Sequence, residues 1–241
     1  MIYGDVMRDH YKGYRYPKSV IGFTVRYYHR YKLSLRDICE LLLDRGIEVS
    51  HETVCYWNKV WGAVYAKSIR KKRGACFTDK WHIDEVRMVI NGEIFWLCRL
   101  VDSLGEKIEI LLQKRRNAKA AIRFLKKALH GAGFSPRVLV SDKLRSYTKA
   151  KRSILKSTEH RSHKRLNNRV ENSHQPTREK ERQMRGFKTP ASAQRFLSSM
   201  GAMLNLLKVR RYKNSAHEYR SKLKEALSIF DEIVSSHYQS A

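Results

Sequence analysis

Three acidic residues stand where carboxylates could serve phosphate chemistry. Asp84 lies in an apolar stretch that begins at Trp81, Asp142 directly follows a short apolar stretch, and Glu171 stands near the start of a long polar one. Hard divalent cations prefer carboxylate oxygens as ligands. Two such ions ~3.5–4 Å apart can activate the attacking oxygen and stabilise the leaving oxygen of a phosphate displacement. We therefore treat these three residues as a candidate metal-binding and catalytic triad.

Each of these carboxylates also has an ordinary structural interpretation. Asp84 fits a strand position, Asp142 fits a helix cap, and Glu171 fits a solvated helix face. Two neighbouring acidic residues are weaker candidates for the same site. Side chains alternate along a strand, so Glu85 should point to the face opposite to Asp84. Asp102 ends an apolar run and is typical of a turn.

The charge of the chain indicates a polyanionic partner. Fifty Lys and Arg against 23 Asp and Glu give a formal net charge of +27, which favours nucleic acid or an anionic membrane surface. No apolar run approaches the ~20 residues of a membrane span, and the first residues do not resemble a signal peptide. The four cysteines form no CxxC pair, as expected for reduced thiols in a cytoplasmic protein.

Residues 17 to 62 predict three short helices. Pro17 suits a helix start, and Ser34 and Ser50 can cap the next two helices. Gly46 suits the turn between those two. This spacing matches a helix-turn-helix DNA-binding domain, although a plain helical hairpin gives the same pattern. The recognition helix would present four side chains: His51, Glu52, Tyr56 and Lys59.

Three further segments flank or connect the predicted domains. Residues 1 to 16 are basic and tyrosine-rich, and they could be a loose arm or an arm that lies on a phosphate backbone. Residues 63 to 78 predict a basic linker that separates two domains. Residues 211 to 241 predict a polar, helical C-terminal tail without a chemical motif.

Residues 79 to 210 predict an α/β domain. Three strand-like runs come first, and Asn91-Gly92 between the first two is a strong hairpin signal. The predicted elements are strands at 80–90, 93–102, 107–113, 137–141 and 154–160, and helices at 117–130, 168–185 and 191–209. Their order is that of the ribonuclease H-like fold of retroviral integrase-type cores, except that no clear helix stands between the last two strands.

That fold would bring the three carboxylates together. Its first and fourth strands are neighbours in the sheet, so Asp84 and Asp142 should lie close to each other. A helix after the fifth strand can carry Glu171 to the same place. Without metal, carboxylates this close raise one another's pKa values, so the site is expected to need its cation.

The helix that carries Glu171 predicts a basic stripe. Side chains at helical spacing share one face, and here they are Glu171, His174, Arg178, Arg182 and Arg185. Such a stripe is often only a solvated surface, but its start at Glu171 favours phosphate contact. Lys143, next to Asp142, is assigned to DNA contact as well. Pro176 should kink or restart this helix.

These motifs resemble those of bacterial insertion-sequence transposases of the DDE type, in the IS-six group. The matching segments run in one order over roughly residues 15 to 207. They are Leu33 to Asp37, Arg45 to Ile47, Thr53-Val54, Trp81 to Glu85, Val101 to Ser103, Arg116 to Ala121, Ser141 to Lys143, Asn167 to His174, and Gly186 to Lys188.

The resemblance implies a function and a site. It implies that Asp84, Asp142 and Glu171 are catalytic and bind Mg²⁺, for which Mn²⁺ can substitute. It implies nicking at the terminal inverted repeats of the element, followed by attack of the freed 3′-hydroxyl on target DNA. Arg178 stands where the family often has a Lys or Arg two helical turns after the Glu. The spacing from Asp142 to Glu171 is shorter than in better-known relatives, which indicates a shortened loop.

Two other functions remain open from the sequence. A non-catalytic helix-turn-helix regulator would need no triad, and a ribonuclease H-like nuclease would cut DNA without joining it. The transposase interpretation predicts double-stranded DNA as partner, both element ends and target. It also predicts a homo-oligomer that handles two DNA ends, acting on the nucleoid in the bacterial cytoplasm.

Overall fold

The computed structural model describes residues 13–74, 76–142, 145–162 and 168–236. The chain divides into two compact units. Residues up to Lys72 and from Ala202 onward form one unit, which we call the helical unit. Residues Arg73–Gly201 form the other, which we call the sheet unit. None of the helices in the described ranges is long and apolar enough to span a membrane.

The helical unit begins with three helices at the predicted positions. They are α1 (Lys18–Arg30), α2 (Leu35–Leu43) and α3 (His51–Arg73). Ser34 and Asp37 form a reciprocal capping box at the start of α2, which satisfies two backbone N–H groups that the helix leaves unpaired. At the start of α3, the Ser50 hydroxyl accepts a hydrogen bond from the Thr53 backbone N–H at 3.3 Å.

Helix α3 continues through most of the segment for which we predicted a linker. It ends at Arg73, because its apolar stripe does not stop at residue 62. Trp57, Trp61, Tyr65 and Ile69 follow one another at four-residue spacing and are all buried. The Lys and Arg residues between them occupy the outer face, so the charge run marks a solvated helix surface and not an end of structure.

The predicted tail belongs to the core of the helical unit. After a short 3₁₀ turn at Arg211–Lys213, helix α8 spans Ala216–Ser236. Phe230 and Val234 on α8 are buried in one cluster with Ile21 and Val25 of α1. Part of the predicted N-terminal arm packs here too, since the ring of Tyr16 meets Trp57 edge-on at 5.2 Å. Residues 1 to 12 of that arm lie outside the described residues.

The sheet unit contains five strands in the order β3-β2-β1-β4-β5. They are β1 (Lys80–Ile90), β2 (Glu93–Asp102), β3 (Lys107–Gln113), β4 (Val138–Ser141) and β5 (Glu159–Ser162). The first three are antiparallel, and β4 and β5 run parallel to β1. Asn91 and Gly92 have φ values of 51° and 78°, as a two-residue hairpin requires. The predicted ribonuclease H-like fold is confirmed by this order and these directions.

Helices cover both faces of this sheet. They are α4 (Ala118–Ala132), α5 (Arg145–Ile154), α6 (Asn168–Gln183) and α7 (Pro190–Leu207). Trp81 and Ile83 of β1 pack with α4 and α5. Met88 and Ile90 of the same strand pack on the opposite face with the start of α7. The two-residue period of β1 therefore assigns alternate side chains to two different cores.

Several boundaries and one helix differ from the prediction. Strand β5 spans Glu159–Ser162 and not residues 154–160, and α7 ends at Leu207 and not at residue 209. Helix α5 stands between β4 and β5, where we predicted no clear helix, because its polar composition hides a narrow buried stripe that includes Tyr147 and Ala150. Helix α4 ends at Ala132 and is followed by Gly133, which adopts a φ of 75°, and so it does not stop at Gly131. Helix α6 ends at Gln183, before Arg185.

Gly22 should be required for the contact between α1 and α8. A Cβ atom at this position would lie 2.7 Å from Cγ2 of Val234, and valine rotamers in a helix are stiff. We expect Gly22→Ala to destabilise the protein by about 1–3 kcal/mol. In a Val234→Ala background this cost should shrink, because the truncated side chain leaves room. The measurement is a double-mutant cycle by urea denaturation.

Gly131→Ala is the matched control for this cycle. Gly131 lies within α4, and an added Cβ would meet no heavy atom within 4 Å. The substitution should therefore be neutral or stabilising by up to about 1 kcal/mol, the usual helical preference for Ala over Gly. Strictly additive costs for Gly22→Ala and Val234→Ala would contradict the proposed contact.

Candidate active site

Asp84 lies on β1, and Asp142 directly follows the neighbouring parallel strand β4. Strand β1 pairs with β4 in a register that matches His82 with Val140. The same register continued by two residues brings Asp84 level with Asp142, which directly follows the last residue of β4, Ser141. Their side chains are 19% and 34% exposed, respectively. Two partly exposed carboxylates on adjacent strands suit a hard divalent cation.

Helix α6 carries Glu171 toward the same strand. The helix packs against β1 and β2, and the Nε2 atom of His174 lies 3.6 Å from Oδ2 of Asp84. Glu171 stands one helical turn before His174 on the α6 backbone, while its side chain lies outside the described part of the structure. The described side chains alone contain no group of three or more His, Cys, Asp or Glu residues that could hold a metal.

His174 is buried beside Asp84, not displayed on a basic surface as we predicted. Only 2% of its side chain is exposed. Burial, together with the positive charges of Arg99 and Arg178, lowers its pKa to about 2. The imidazole is therefore neutral at physiological pH. It occupies the space beside Asp84 as an uncharged ring, so it cannot serve as a phosphate-binding cation.

A second buried residue, Arg99, was missed by sequence reasoning. Arg99 is the cross-strand partner of Asp84 on β2, and burial lowers its pKa to about 10. Its guanidinium donates a hydrogen bond to the Thr177 hydroxyl of α6. The only sequence signal for it is an arginine in the middle of an otherwise apolar strand, since its position opposite Asp84 depends on the register.

Among the described side chains of α6, the exposed basic ones are those of Arg178 and Arg182. His174, Thr177 and Lys180 lie on the buried side of the helix. Of the predicted five-residue stripe, Arg178 and Arg182 are thus the members shown to be exposed on α6. Arg185 follows the end of α6 with a φ of 55° and does not continue the helical face. The helix runs through Pro176 without restarting. Lys143 lies outside the described residues.

Glu85 occupies the opposite face of β1, as predicted. Its side chain is 5% exposed, and it accepts a hydrogen bond of 2.6 Å from the Tyr147 hydroxyl. Arg116 donates to it through Nε. The same guanidinium reaches Asp142, with 3.5 Å between Nη2 and Oδ2. Burial and the negative charge of Glu85 together raise the pKa of Cys98 in this cluster to about 12.

Asp102 is a turn residue, as predicted. Its Oδ1 atom accepts hydrogen bonds of 2.8 Å from the backbone N–H groups of Leu104 and Glu106. Its Oδ2 atom accepts one of 3.1 Å from the backbone N–H of Thr78. With both oxygens used in the turn after β2, this buried carboxylate is not available as a metal ligand.

The predicted DNA-reading side chains His51, Tyr56 and Lys59 are exposed on the first turns of α3. His51 pairs with Glu52 at 3.0 Å. Tyr56 stacks against Tyr14, with 6.3 Å between ring centroids. A residue of the predicted N-terminal arm thus lies against the proposed recognition helix.

The chain matches a known family over most of the sheet unit. Residues 78–210 match the model of the DDE domain of IS240-type transposases. This span contains all five strands and helices α4 to α7. It also contains Asp84, Asp142 and Glu171.

Curated relatives match over a longer range. The transposase of the insertion sequence-like element IS431mec from Staphylococcus aureus is 32% identical over 171 residues, which cover 69% of this chain and 75% of the relative. The transposase of insertion sequence IS257 in transposon Tn4003, also from Staphylococcus aureus, gives the same identity and coverage.

Two solved structures from viruses show a weak similarity to this chain. The HTLV-2 integrase catalytic core domain in complex with magnesium gives a TM-score of 0.43 at 12% identity, and the match covers 57% of this chain and 90% of that one. A chain of the simian T-cell lymphotropic virus intasome gives 0.42 at 15% identity, with coverage of 57% and 51%.

Thr177→Val should weaken the attachment of α6 to the sheet. Valine has nearly the same shape but cannot accept the hydrogen bond from the buried Arg99 guanidinium. We expect a loss of about 1.5–3 kcal/mol of unfolding free energy, the usual contribution of a hydrogen bond to a charged group. Thr177→Ser keeps the hydroxyl and should cost clearly less. Urea denaturation of both variants measures the difference, and equal losses would contradict the role of this bond.

Proposed function

This chain belongs to the DDE transposase family of bacterial insertion sequences, and we propose that Asp84, Asp142 and Glu171 form its catalytic triad. The protein is a polynucleotidyl transferase that acts in DNA transposition. One observation supports the triad most strongly. Strand β1 pairs in parallel with β4 up to His82 and Val140, and this register continued by two residues brings Asp84 level with Asp142, just past the end of β4. Helix α6, which carries Glu171, packs against β1.

DDE domains use divalent metal ions, and for this chain we propose Mg²⁺, with Mn²⁺ as a substitute. The three carboxylates would hold it. When bound, the metal activates the attacking oxygen and stabilises the charge that develops on the leaving oxygen. The described ligands fit this role, because Asp84 and Asp142 offer hard oxygen donors that are only partly exposed to water.

The surrounding residues would orient the reacting groups. Neutral His174 packs against Asp84 and limits the rotation of its carboxylate. Arg178 and Arg182 are exposed on the turns of α6 that follow, where planar guanidinium groups suit bidentate contact with phosphate. We assign Lys143 to the same DNA contact. The reaction proposed is hydrolytic nicking at the ends of the element, followed by in-line attack of the free 3′-hydroxyl on target DNA.

The helical unit would read DNA. We propose that α2 and α3 form a helix-turn-helix in which His51, Tyr56 and Lys59 face the major groove. The net charge of +27 supports binding along a phosphate backbone. Two residues of the N-terminal segment, Tyr14 and Tyr16, already pack on α3, so this segment would support the reading helix.

Transposition joins two ends of one element, and we therefore propose that the protein works as a homo-oligomer on paired ends. The relatives that it matches come from a bacterium. Because bacterial DNA lies in the cytoplasm, we place the reaction on the nucleoid there.

A strand-transfer assay tests the catalytic proposal. Purified protein is incubated with a labelled duplex that carries the terminal repeat, with a plasmid target, and with or without Mg²⁺. We expect metal-dependent joining that falls by on the order of a thousandfold or more in Asp84→Asn, Asp142→Asn and Glu171→Gln. Asp79→Asn removes an exposed carboxylate that pairs with Arg137 at 2.8 Å, outside the proposed site, and should remain active.

Each alternative function gives a different result in this assay. Metal-dependent nicking without joining would identify a nuclease. DNA binding without any chemistry, unchanged in the three variants, would identify a regulator that uses the helical unit alone. Full activity in Glu171→Gln would remove that residue from the triad.

DNA binding by α3 is tested by salt dependence. Lys59→Ala should weaken binding to the terminal repeat and reduce the slope of log Kd against log salt concentration by about 1, because one phosphate contact is lost. Lys224→Ala removes the same charge from an exposed position on α8 and serves as the matched control. Equal slopes in both variants would place the reading surface elsewhere.

A further inference from the structure

We infer that Arg116 is a positioning residue that holds Asp142 and competes with the catalytic metal for it. The inference rests on the proposed function, since it requires Asp142 to be a metal ligand. It concerns a residue outside the triad, on the opposite face of the sheet from Asp84. Its consequence is that Arg116 sets how tightly the protein binds divalent metal before DNA is present.

The Arg116 guanidinium is held in place on two sides. Its Nε atom donates a hydrogen bond to Oε2 of Glu85. Its Cζ atom lies over the ring of Trp96, 4.6 Å from the ring centroid, a distance at which a cation is attracted to the aromatic face. A side chain that has both a charged anchor and an aromatic ring beneath its cation has little freedom to swing away.

Glu85 is itself a rigid anchor. Only 5% of its side chain is exposed, and its other carboxylate oxygen, Oε1, accepts a hydrogen bond of 2.6 Å from Tyr147. Tyr147 is fully buried in the core between the sheet and α5. Because a buried carboxylate needs its partners, Glu85 cannot release Arg116 without a large cost. The buried Tyr147 therefore holds Glu85 in place, and Glu85 in turn holds the Arg116 guanidinium.

From this fixed position Arg116 reaches Asp142. Strand β4 ends at Ser141, and the Nη2 atom of Arg116 lies 3.5 Å from Oδ2 of Asp142. The two side chains are 33% and 34% exposed, so water screens the pair only in part. The contact engages one oxygen of Asp142.

Two physical effects follow for a metal that approaches Asp142. The guanidinium occupies one carboxylate oxygen, and its fixed positive charge repels a divalent cation at close range. Both effects weaken metal binding relative to a site without Arg116. The same contact restricts the rotation of Asp142, so the metal that does bind meets a carboxylate already in place. If Arg116 had only a structural role, its removal would not make the protein bind the metal more tightly.

Metal binding to the DNA-free protein tests the inference. Free Mn²⁺ is measured by electron paramagnetic resonance during titration of the full-length protein. We expect Arg116→Gln to bind Mn²⁺ about tenfold more tightly than the original chain, a change of about 1.4 kcal/mol. Arg115→Gln changes net charge equally from the adjacent exposed position and should leave the affinity unchanged. Asp142→Asn should bind Mn²⁺ much more weakly.

The outcomes separate this inference from the proposed function. Unchanged or weaker Mn²⁺ binding in Arg116→Gln, with weakened binding in Asp142→Asn, would overturn the role of Arg116 and leave the triad intact. Unaffected binding in Asp142→Asn would overturn both. If Arg116→Gln does not fold, Arg116→Lys provides the test, because one ammonium cannot bridge Glu85 and Asp142 together. Mn²⁺ should then bind about threefold more tightly, and an unchanged affinity would again overturn the inference.

Discussion

The buried guanidinium of Arg99 is the constraint on which the arrangement of the site depends. A charge removed from water costs several kcal/mol unless it gains hydrogen-bond partners, and here the Thr177 hydroxyl of α6 is one of them. The hydrogen bond from Arg99 to Thr177 therefore fixes the position of α6 along β1 and β2. When α6 is docked in this position, Nε2 of His174 lies 3.6 Å from Oδ2 of Asp84. Glu171 lies on the same helix, one turn before His174. The geometry of the proposed triad thus depends on a residue that need not touch the substrate.

The alternation of side chains along β1 gives its two adjacent carboxylates different roles. Asp84 faces α6 and remains 19% exposed, which suits a metal ligand. Glu85 faces α4 and α5 and is 5% exposed, which suits an anchor for Arg116 and Tyr147. Asp142 lies just past the end of β4, so its carboxylate is not confined to one face of the sheet. Arg116, which is bound to Glu85, contacts it from the Glu85 face. Because adjacent side chains of β1 face opposite sides of the sheet, a shift of strand register by one residue would exchange the proposed metal ligand Asp84 with the structural residue Glu85.

Local sequence signals predicted the elements well where one residue type determines the backbone. The Ser34 capping box and the Asn91-Gly92 hairpin are examples, since their hydrogen bonds and φ values act over a few residues. Buried polar contacts could not be predicted in the same way. The neighbours of Arg99 and His174 depend on strand register and helix docking, which no short window contains. Helix α5 was missed for a related reason, because its burial rests on a few residues such as Tyr147 within a basic segment.

The helical unit is built from both ends of the chain, and this affects how DNA reading and chemistry are linked. Its core needs Phe230 and Val234 of α8 as well as Trp57 and Trp61 of α3, with the whole sheet unit between them in sequence. Closing so long a loop costs little more entropy than closing one half as long, so the insertion is tolerated once the sheet unit folds by itself. The proposed recognition helix then has a complete core only when the chain on both sides of the DDE domain is in place. Folding of the proposed DNA-reading surface therefore implies that the DDE domain is present in the same molecule, which suits the proposed cleavage at the bound sequence.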